Sequence, residues 1–211
     1  MRIAVLGTGM VGRTLAPAFQ KLGHDVVVGT RDPAATRARD DWTSDLPLAP
    51  YGEVADGADV VVNATNGLGS LAALGLVGAE ALAGKVLLDV SNPLDLSQGF
   101  LRLAVKDGDS LAEEILRAFP RALVGKTLNT VNCSVMVDPS RVGDGDTSIF
   151  VASDHEETRR VARELLTALG WRDVIEFEDL SAARGLEMWL PLWVRLMGRV
   201  GTPDFNLKIV R

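Results

Sequence analysis

The chain has 211 residues, 47% hydrophobic and 24% charged, with a formal net charge of −6. A chain of this length buries roughly 70% of its unfolded surface and needs no staple, and the acidic balance argues against the basic stripe of a nucleic-acid binder. A single cysteine and two histidines exclude a disulfide framework and offer no zinc spacing, and no apolar run reaches the ~18 residues of a membrane span.

Taken in order, residues 3–6 (IAVL) form a short apolar run, the mark of a strand buried on both faces. The chain enters this strand at once, so no signal peptide is expected, and the cytoplasm is the expected compartment. Val11, Leu15, Phe19 and Leu22 recur at helical spacing, and Gly23 closes that helix. Residues 25–29 predict a second strand, 33–41 a short polar helix, and 42–52, with Pro47 and Pro50, a loop. Strands follow at 58–64, 85–90 and 122–128, with helices near 70–83 and 110–119. Two further strands, 147–153 and 173–179, flank a helix at 155–169, and a long apolar helix runs over 181–199. Strands alternating with helices mean a parallel sheet covered on both faces. The expected architecture is α/β: a Rossmann-type doubly wound sheet over 1–138 and a small C-terminal α/β extension over 139–211 that carries the apolar helix. The turn-rich stretch 139–146 is the candidate linker.

Gly7, Gly9 and Gly12 fit G-x-G-x-x-G between the first strand and the first helix. In that context Gly7 permits the tight turn, Gly9 lets backbone approach a pyrophosphate, and Gly12 lets helix and strand pack closely. The helix N-terminus offers free N–H groups to the anion. An NAD site carries an acidic residue about 20 residues further on. Here the chain reads Gly29, Thr30, Arg31. A carboxylate would repel a 2′-phosphate, whereas an arginine fork suits its oxygens, so Arg31, with Thr30 and Arg37 in support, predicts NADP(H). The alternative is an exposed Arg31 paired with Asp32, worth little.

Ligands in such sheets lie beyond the carboxyl ends of strands. Three of these ends are alike: Ala64, Thr65 and Asn66 after the third strand; Ser91, Asn92 and Pro93 after the fourth; Asn129 and Asn132 after the fifth. Neutral amides and hydroxyls suit a nicotinamide and its ribose, and no acid–base pair stands among them. Cys133 reads as a small packed residue. In the last helix Pro191, Trp193, Val194 and Met197, with Leu207 beyond it, offer an apolar wall for a flat hydride partner. Pro191 should kink the helix, and its surplus apolar residues also suit a dimer interface. Glu187 is expected to pair with Arg184 or Arg195. No metal site is expected.

The stretch LGTGMVGRTLA…LGHDVVVGTRDP resembles the NADPH-dependent reductases of coenzyme F420, and more weakly the nucleotide domain of the STEAP metalloreductases. That resemblance implies NADP contacts at Thr8, Gly9, Met10, Val11, Thr30 and Arg31. It also implies a homodimer, a closing strand at LKIVR, and a deazaflavin stacked on the nicotinamide under C-terminal apolar residues. Ala35 stands where the family often has a basic residue, leaving Arg37 to compensate. Asn129 stands where the family tends to have a histidine. The implied activity is hydride transfer between NADP(H) and coenzyme F420 or a flavin. Direct reduction of a small carbonyl or imine, and a non-enzymatic NADP sensor, are the alternatives.

Overall fold

The computed structural model describes residues 1–99 and 101–211. They contain ten strands and ten α-helices. The first half comprises β1 (Arg2–Leu6), α1 (Met10–Lys21), β2 (Asp25–Thr30), α2 (Pro33–Arg37), β3 (Leu48–Pro50), α3 (Tyr51–Val54), β4 (Val60–Asn63), α4 (Ser70–Val77), α5 (Ala79–Leu82) and β5 (Val86–Asp89). The second comprises β6 (Leu94–Asp95), β7 (Arg102–Leu103), α6 (Leu111–Ala118), β8 (Leu123–Thr127), α7 (Cys133–Val137), β9 (Ser148–Ala152), α8 (Glu156–Ala168), β10 (Asp173–Phe177), α9 (Ala183–Met188) and α10 (Leu190–Val200).

Eight strands make one sheet in the order β10-β9-β8-β5-β4-β1-β2-β3. Every pairing is parallel except β8 with β9. Chain order reverses between β1 and β4, whose ends meet in register at Leu6 and Asn63. That is the switch point where a ligand crevice opens. The two-residue period of the strands splits the core. Ile3, Val5, Val60 and Val62 face α1 and α8, packing with Leu15, Phe19, Leu165 and Trp171. Ala4, Leu6, Val61 and Leu87 face the other side, packing with Leu74, Leu82 and Ile115. Both faces are covered, so the strands read as unbroken apolar runs.

Several expectations need correction. The stretch read as a loop over 42–52 contains β3, paired parallel to β2 at the sheet edge. An edge strand tolerates Pro50, which donates nothing to the ladder. The helix expected over 70–83 breaks at Gly78, whose φ is +95°. The small hairpin of β6 and β7 and the short α7 carry too few residues to show a period. The long C-terminal helix is two, joined at Trp189, because Pro191 cannot donate a helical bond and opens a new first turn instead. LKIVR is not a strand. It runs past the start of β9, where Leu207 O accepts from Ser148 N at 2.9 Å and Ile209 N donates to the Ser148 hydroxyl.

Candidate active site

The three glycines of the turn separate by what surrounds them. A Cβ on Gly12 would stand 2.0 Å from the Gly7 carbonyl oxygen, and one on Gly7 2.6 Å from that of Ala64. Gly7 also holds φ at +109°. These two glycines permit the close approach of turn, helix and neighbouring strand end. A Cβ on Gly9 would meet nothing within 4 Å. Gly9 is the N-cap of α1, no side chain caps that helix, and its first turn holds no acidic residue. The first-turn N–H groups therefore have no intrahelical partner and form an open anion cradle. The residues present fit a dinucleotide pyrophosphate.

At the end of β2, the Thr30 hydroxyl meets that of Thr36 at 2.7 Å, both buried. Asp32 does not pair with Arg31: it caps α2 by accepting from Ala35 N at 2.9 Å. Arg31 and Arg37 are exposed, and neither forms an ion pair among the described residues. The cation that reaches the glycine turn is Arg39, which donates to the Thr8 hydroxyl at 2.8 Å and to Thr8 O at 3.3 Å. Asp41 holds it there, accepting from Arg39 Nε at 2.8 Å and pairing with Arg13 at 2.9 Å. The Arg39 hydrogen bond holds the Asp41 carboxyl below its ordinary range.

The later strand ends interlock. A Cβ on Gly67 would lie 2.0 Å from Asn92 O, so the loops after β4 and β5 touch. Asn92 Nδ2 donates to Asn129 O at 2.9 Å, and Asn129 Nδ2 donates to Asn92 Oδ1 at 3.0 Å and to Leu186 O at 2.9 Å. These partners are all acceptors, which fixes the orientation of the Asn129 amide. Its Oδ1 is buried and has no hydrogen-bond partner among the described residues. Leu128, just before it, holds φ at +61°, an uncommon conformation for a bulky side chain that turns the chain from β8 into this loop.

These ends enclose a cavity of about 310 Å³. Met10 and Val11 line it from α1; Ala64, Thr65 and Asn66 from the β4 end; Ser91 and Asn92 from the β5 end; Asn129 and Asn132 from the β8 end; and Trp193 from α10. Ten of the residues expected from the sequence thus converge. Leu94, Val131, Met136 and Leu190 add apolar wall that the sequence reading missed. Apart from the buried thiol of Cys133, no ionisable side chain among the described residues lines the cavity. Pro93, Met197 and Leu207 lie outside the lining. Pro191 and Val194 face a separate surface groove with Leu101, Arg195 and Gly198. The helix is amphipathic, with Arg195 and Arg199 on one exposed side, but its apolar arc is wider than the cavity face, so the sequence did not tell which apolar residues meet the cavity.

Beneath the cavity lies a fully buried charge cluster. Lys126 Nζ reaches Asp89 Oδ2 at 2.7 Å, Glu187 Oε1 at 2.8 Å and Ser91 O at 2.6 Å. Burial alone would lower the Lys126 pKa, but the two carboxylates outweigh it and hold the ammonium charged. Burial pushes the Glu187 carboxyl up, against the pull of Lys126. Glu187 also accepts from Leu111 N at 2.9 Å and Ala112 N at 3.3 Å, at the start of α6. The expected Glu187 partners were wrong: Arg184 pairs with Glu113 instead, and Arg195 lines the outer groove. Asp89 Oδ1 meanwhile accepts from Asn63 Nδ2 at 2.8 Å and the Ser91 hydroxyl at 2.6 Å. One lysine thus ties the C-terminal helices to the loops that shape the cavity.

Comparison with known proteins agrees with this geometry. The family described as NADP oxidoreductase, coenzyme F420-dependent, matches residues 2–93. The F420-dependent NADP reductase of Methanothermobacter marburgensis is 31% identical, the match covering 93% of this chain and 92% of that one. The chain belongs to the F420-dependent NADP reductase family. A crystal structure from Arthrobacter sp. FB24, named as a candidate F420-dependent NADP-reductase, superimposes with a TM-score of 0.97 at 52% identity over the whole of both chains. The metalloreductase STEAP3 of Rattus norvegicus is 28% identical over 91% of this chain, which spans 38% of that protein's length. Within the family frame, the matched segment holds the glycine turn and the β4 and β5 ends. Lys126, Asn129 and Trp193 lie beyond it. Arg39 was legible only as one more arginine in the stretch expected to be a short polar helix. Lys126 was the stronger signal, a lone charge inside an apolar strand.

Proposed function

We propose that this protein transfers a hydride between NADP(H) and the deazaflavin of coenzyme F420, working as a cytoplasmic homodimer. The observation that carries the reading is the cavity's chemistry: apolar walls and neutral amides at a dinucleotide turn, with Cys133 the only ionisable side chain lining it among the described residues. Reduction of a carbonyl or imine calls for a positioned proton donor. A redox ring needs chiefly binding, orientation and exclusion of water. When bound, the nucleotide and the deazaflavin supply the redox chemistry; the chain supplies the rest. Gly9 and the α1 terminus would hold the pyrophosphate, Arg31 and Arg39 the 2′-phosphate, and Asn129 Oδ1 an N–H of the nicotinamide carboxamide. For the dimer, Met188, Leu192 and Val200 leave 41–53% of their surface exposed on the last two helices, and light scattering should give twice the monomer mass.

The deciding assay follows loss of oxidised-deazaflavin absorbance with NADPH and pure protein, beside FMN, FAD and a panel of aldehydes and imines. Turnover of a carbonyl or imine, with none of any ring, would replace this reading with direct substrate reduction.

Nucleotide choice gives a separate expectation. A charge-assisted hydrogen bond to phosphate contributes roughly 1.5–3 kcal/mol. Arg31→Ala should therefore weaken NADPH binding about tenfold to a hundredfold and leave NADH binding nearly unchanged, as measured by titration calorimetry. Equal losses for both nucleotides would mean that Arg31 supports the loop and not the selectivity.

A further inference from the structure

Two of the four tryptophans have satisfied indole N–H groups: Trp171 donates to Met136 O and Trp189 to Thr130 O, each at 3.1 Å. Trp42 and Trp193 have buried N–H groups without an acceptor among the described residues, and of these only Trp193 lines the cavity. One face of its ring is taken by Phe205, with centroids 5.2 Å apart and planes 22° apart. Phe205 thus holds Trp193 from one side, and the indole keeps an unused donor. Buried donors usually find partners, and an orphan on a residue that lines a cavity calls for an explanation.

The cavity's other orphan is complementary. Asn129 Oδ1 can only accept, because its amide nitrogen is committed to Asn92 and Leu186. Leu186 and Trp193 are seven residues apart, about 10 Å along the paired helices. The two orphans therefore belong to different walls of the cavity. Asn129 reaches it from the strand ends, on the nucleotide side. Trp193 reaches it from α10.

We infer that the Trp193 indole N–H is the recognition donor for a ring carbonyl oxygen of the hydride partner, and so selects rings with a pyrimidinedione-type edge over equally flat rings without one. This rests on the reading of the cavity as a two-ring site. It assigns Trp193 a role in binding and specificity, not in the transfer itself.

Trp193→Phe keeps an aromatic ring against Phe205 and removes the N–H. Dissociation constants would be measured for oxidised coenzyme F420 by its fluorescence, for NADPH, and for methylene blue, a flat tricyclic dye with no carbonyl. Losing one such bond should weaken F420 binding about fivefold to thirtyfold, with NADPH and methylene blue within twofold of the wild type. Unchanged F420 affinity would overturn the inference. So would equal losses for F420 and methylene blue, which would make Trp193 a packing residue, or an equal loss for NADPH, which would give the N–H to the nicotinamide. The wild type carries an independent readout: the Trp193 indole N–H proton resonance should move downfield when F420 is added, and a static resonance with F420 bound would refute the contact. If the wild type binds NADPH but no carbonyl ring at all, the two-ring reading itself has failed, which is visible without any variant.

Discussion

Lys126→Met should lower the unfolding free energy by about 3–5 kcal/mol, the range for stripping one partner from a buried ion cluster. Lys126, Asp89 and Glu187 are each at most 1% exposed at the side chain. Without the ammonium, two carboxylates share a dry site with no cation. Their remaining donors are Asn63, the Ser91 hydroxyl and N–H, and the first amides of α6. These soften the loss and do not neutralise it. Denaturant unfolding would measure the change, and a loss under about 1 kcal/mol would mean that water or repacking replaces the lysine. The combination Lys126→Met, Asp89→Asn and Glu187→Gln should recover most of the loss, because the cost comes from uncompensated charge and not from missing attraction. The pH dependence has a definite sign. Burial already raises the Glu187 carboxyl, and in Lys126→Met the pull of the ammonium is gone and only the N–H groups at the start of α6 still oppose it. A group raised in the folded state favours folding at low pH and loses that contribution as pH rises through its folded value. The deficit of Lys126→Met should be smaller near pH 5 than near pH 8.

The same cluster shows where sequence reading stops. The β1–α1–β2 unit was legible because its signals are local: an apolar run, three glycines at fixed spacing, a helical period and a closing glycine. The three polar strand ends were legible for a similar reason, since a strand's end and its following loop are neighbours in sequence. The Lys126 cluster is not local. Its carboxylates lie 37 residues before it and 61 after it, and Glu187 had nearer arginines with which to be matched. Arg39 is a related case. The helix expected over 33–41 ends at Arg37, which frees Arg39 from the helical geometry and lets it fold back on Thr8. A side chain's reach from a loop depends on where the loop goes, and polarity alone does not say. The C-terminal helices failed differently. An element whose apolar arc is wider than the face it buries does not show which of its apolar residues turn inward, so Pro191 and Val194 were placed with Trp193 although they line a separate groove. Only Trp193 and Leu190 face the cavity.

Gly9→Val should leave a folded protein that no longer binds NADPH, and the glycine environments say why this position differs from its neighbours. Gly9 has φ −77° and ψ −174°, an extended conformation open to any residue. Its Cβ would have no protein atom within 4 Å. Valine there strains nothing in the free protein, so thermal unfolding without ligand should shift by no more than a few degrees, as for a surface change. Its methyl groups would instead stand over the α1 terminus, in the space that a pyrophosphate must enter to reach the free N–H groups. Wild-type protein with NADPH at a hundred times its dissociation constant gains about 2.7 kcal/mol of stability; Gly9→Val should gain almost none. Gly12→Ala provides the contrast. Its Cβ would lie 2.0 Å from Gly7 O, so it should destabilise the protein with or without nucleotide. If Gly9→Val keeps a normal NADPH-dependent shift, the phosphates do not sit on this turn and the cradle is an empty feature of the fold. If it unfolds like Gly12→Ala, the open space at Gly9 is filled by the protein itself in solution.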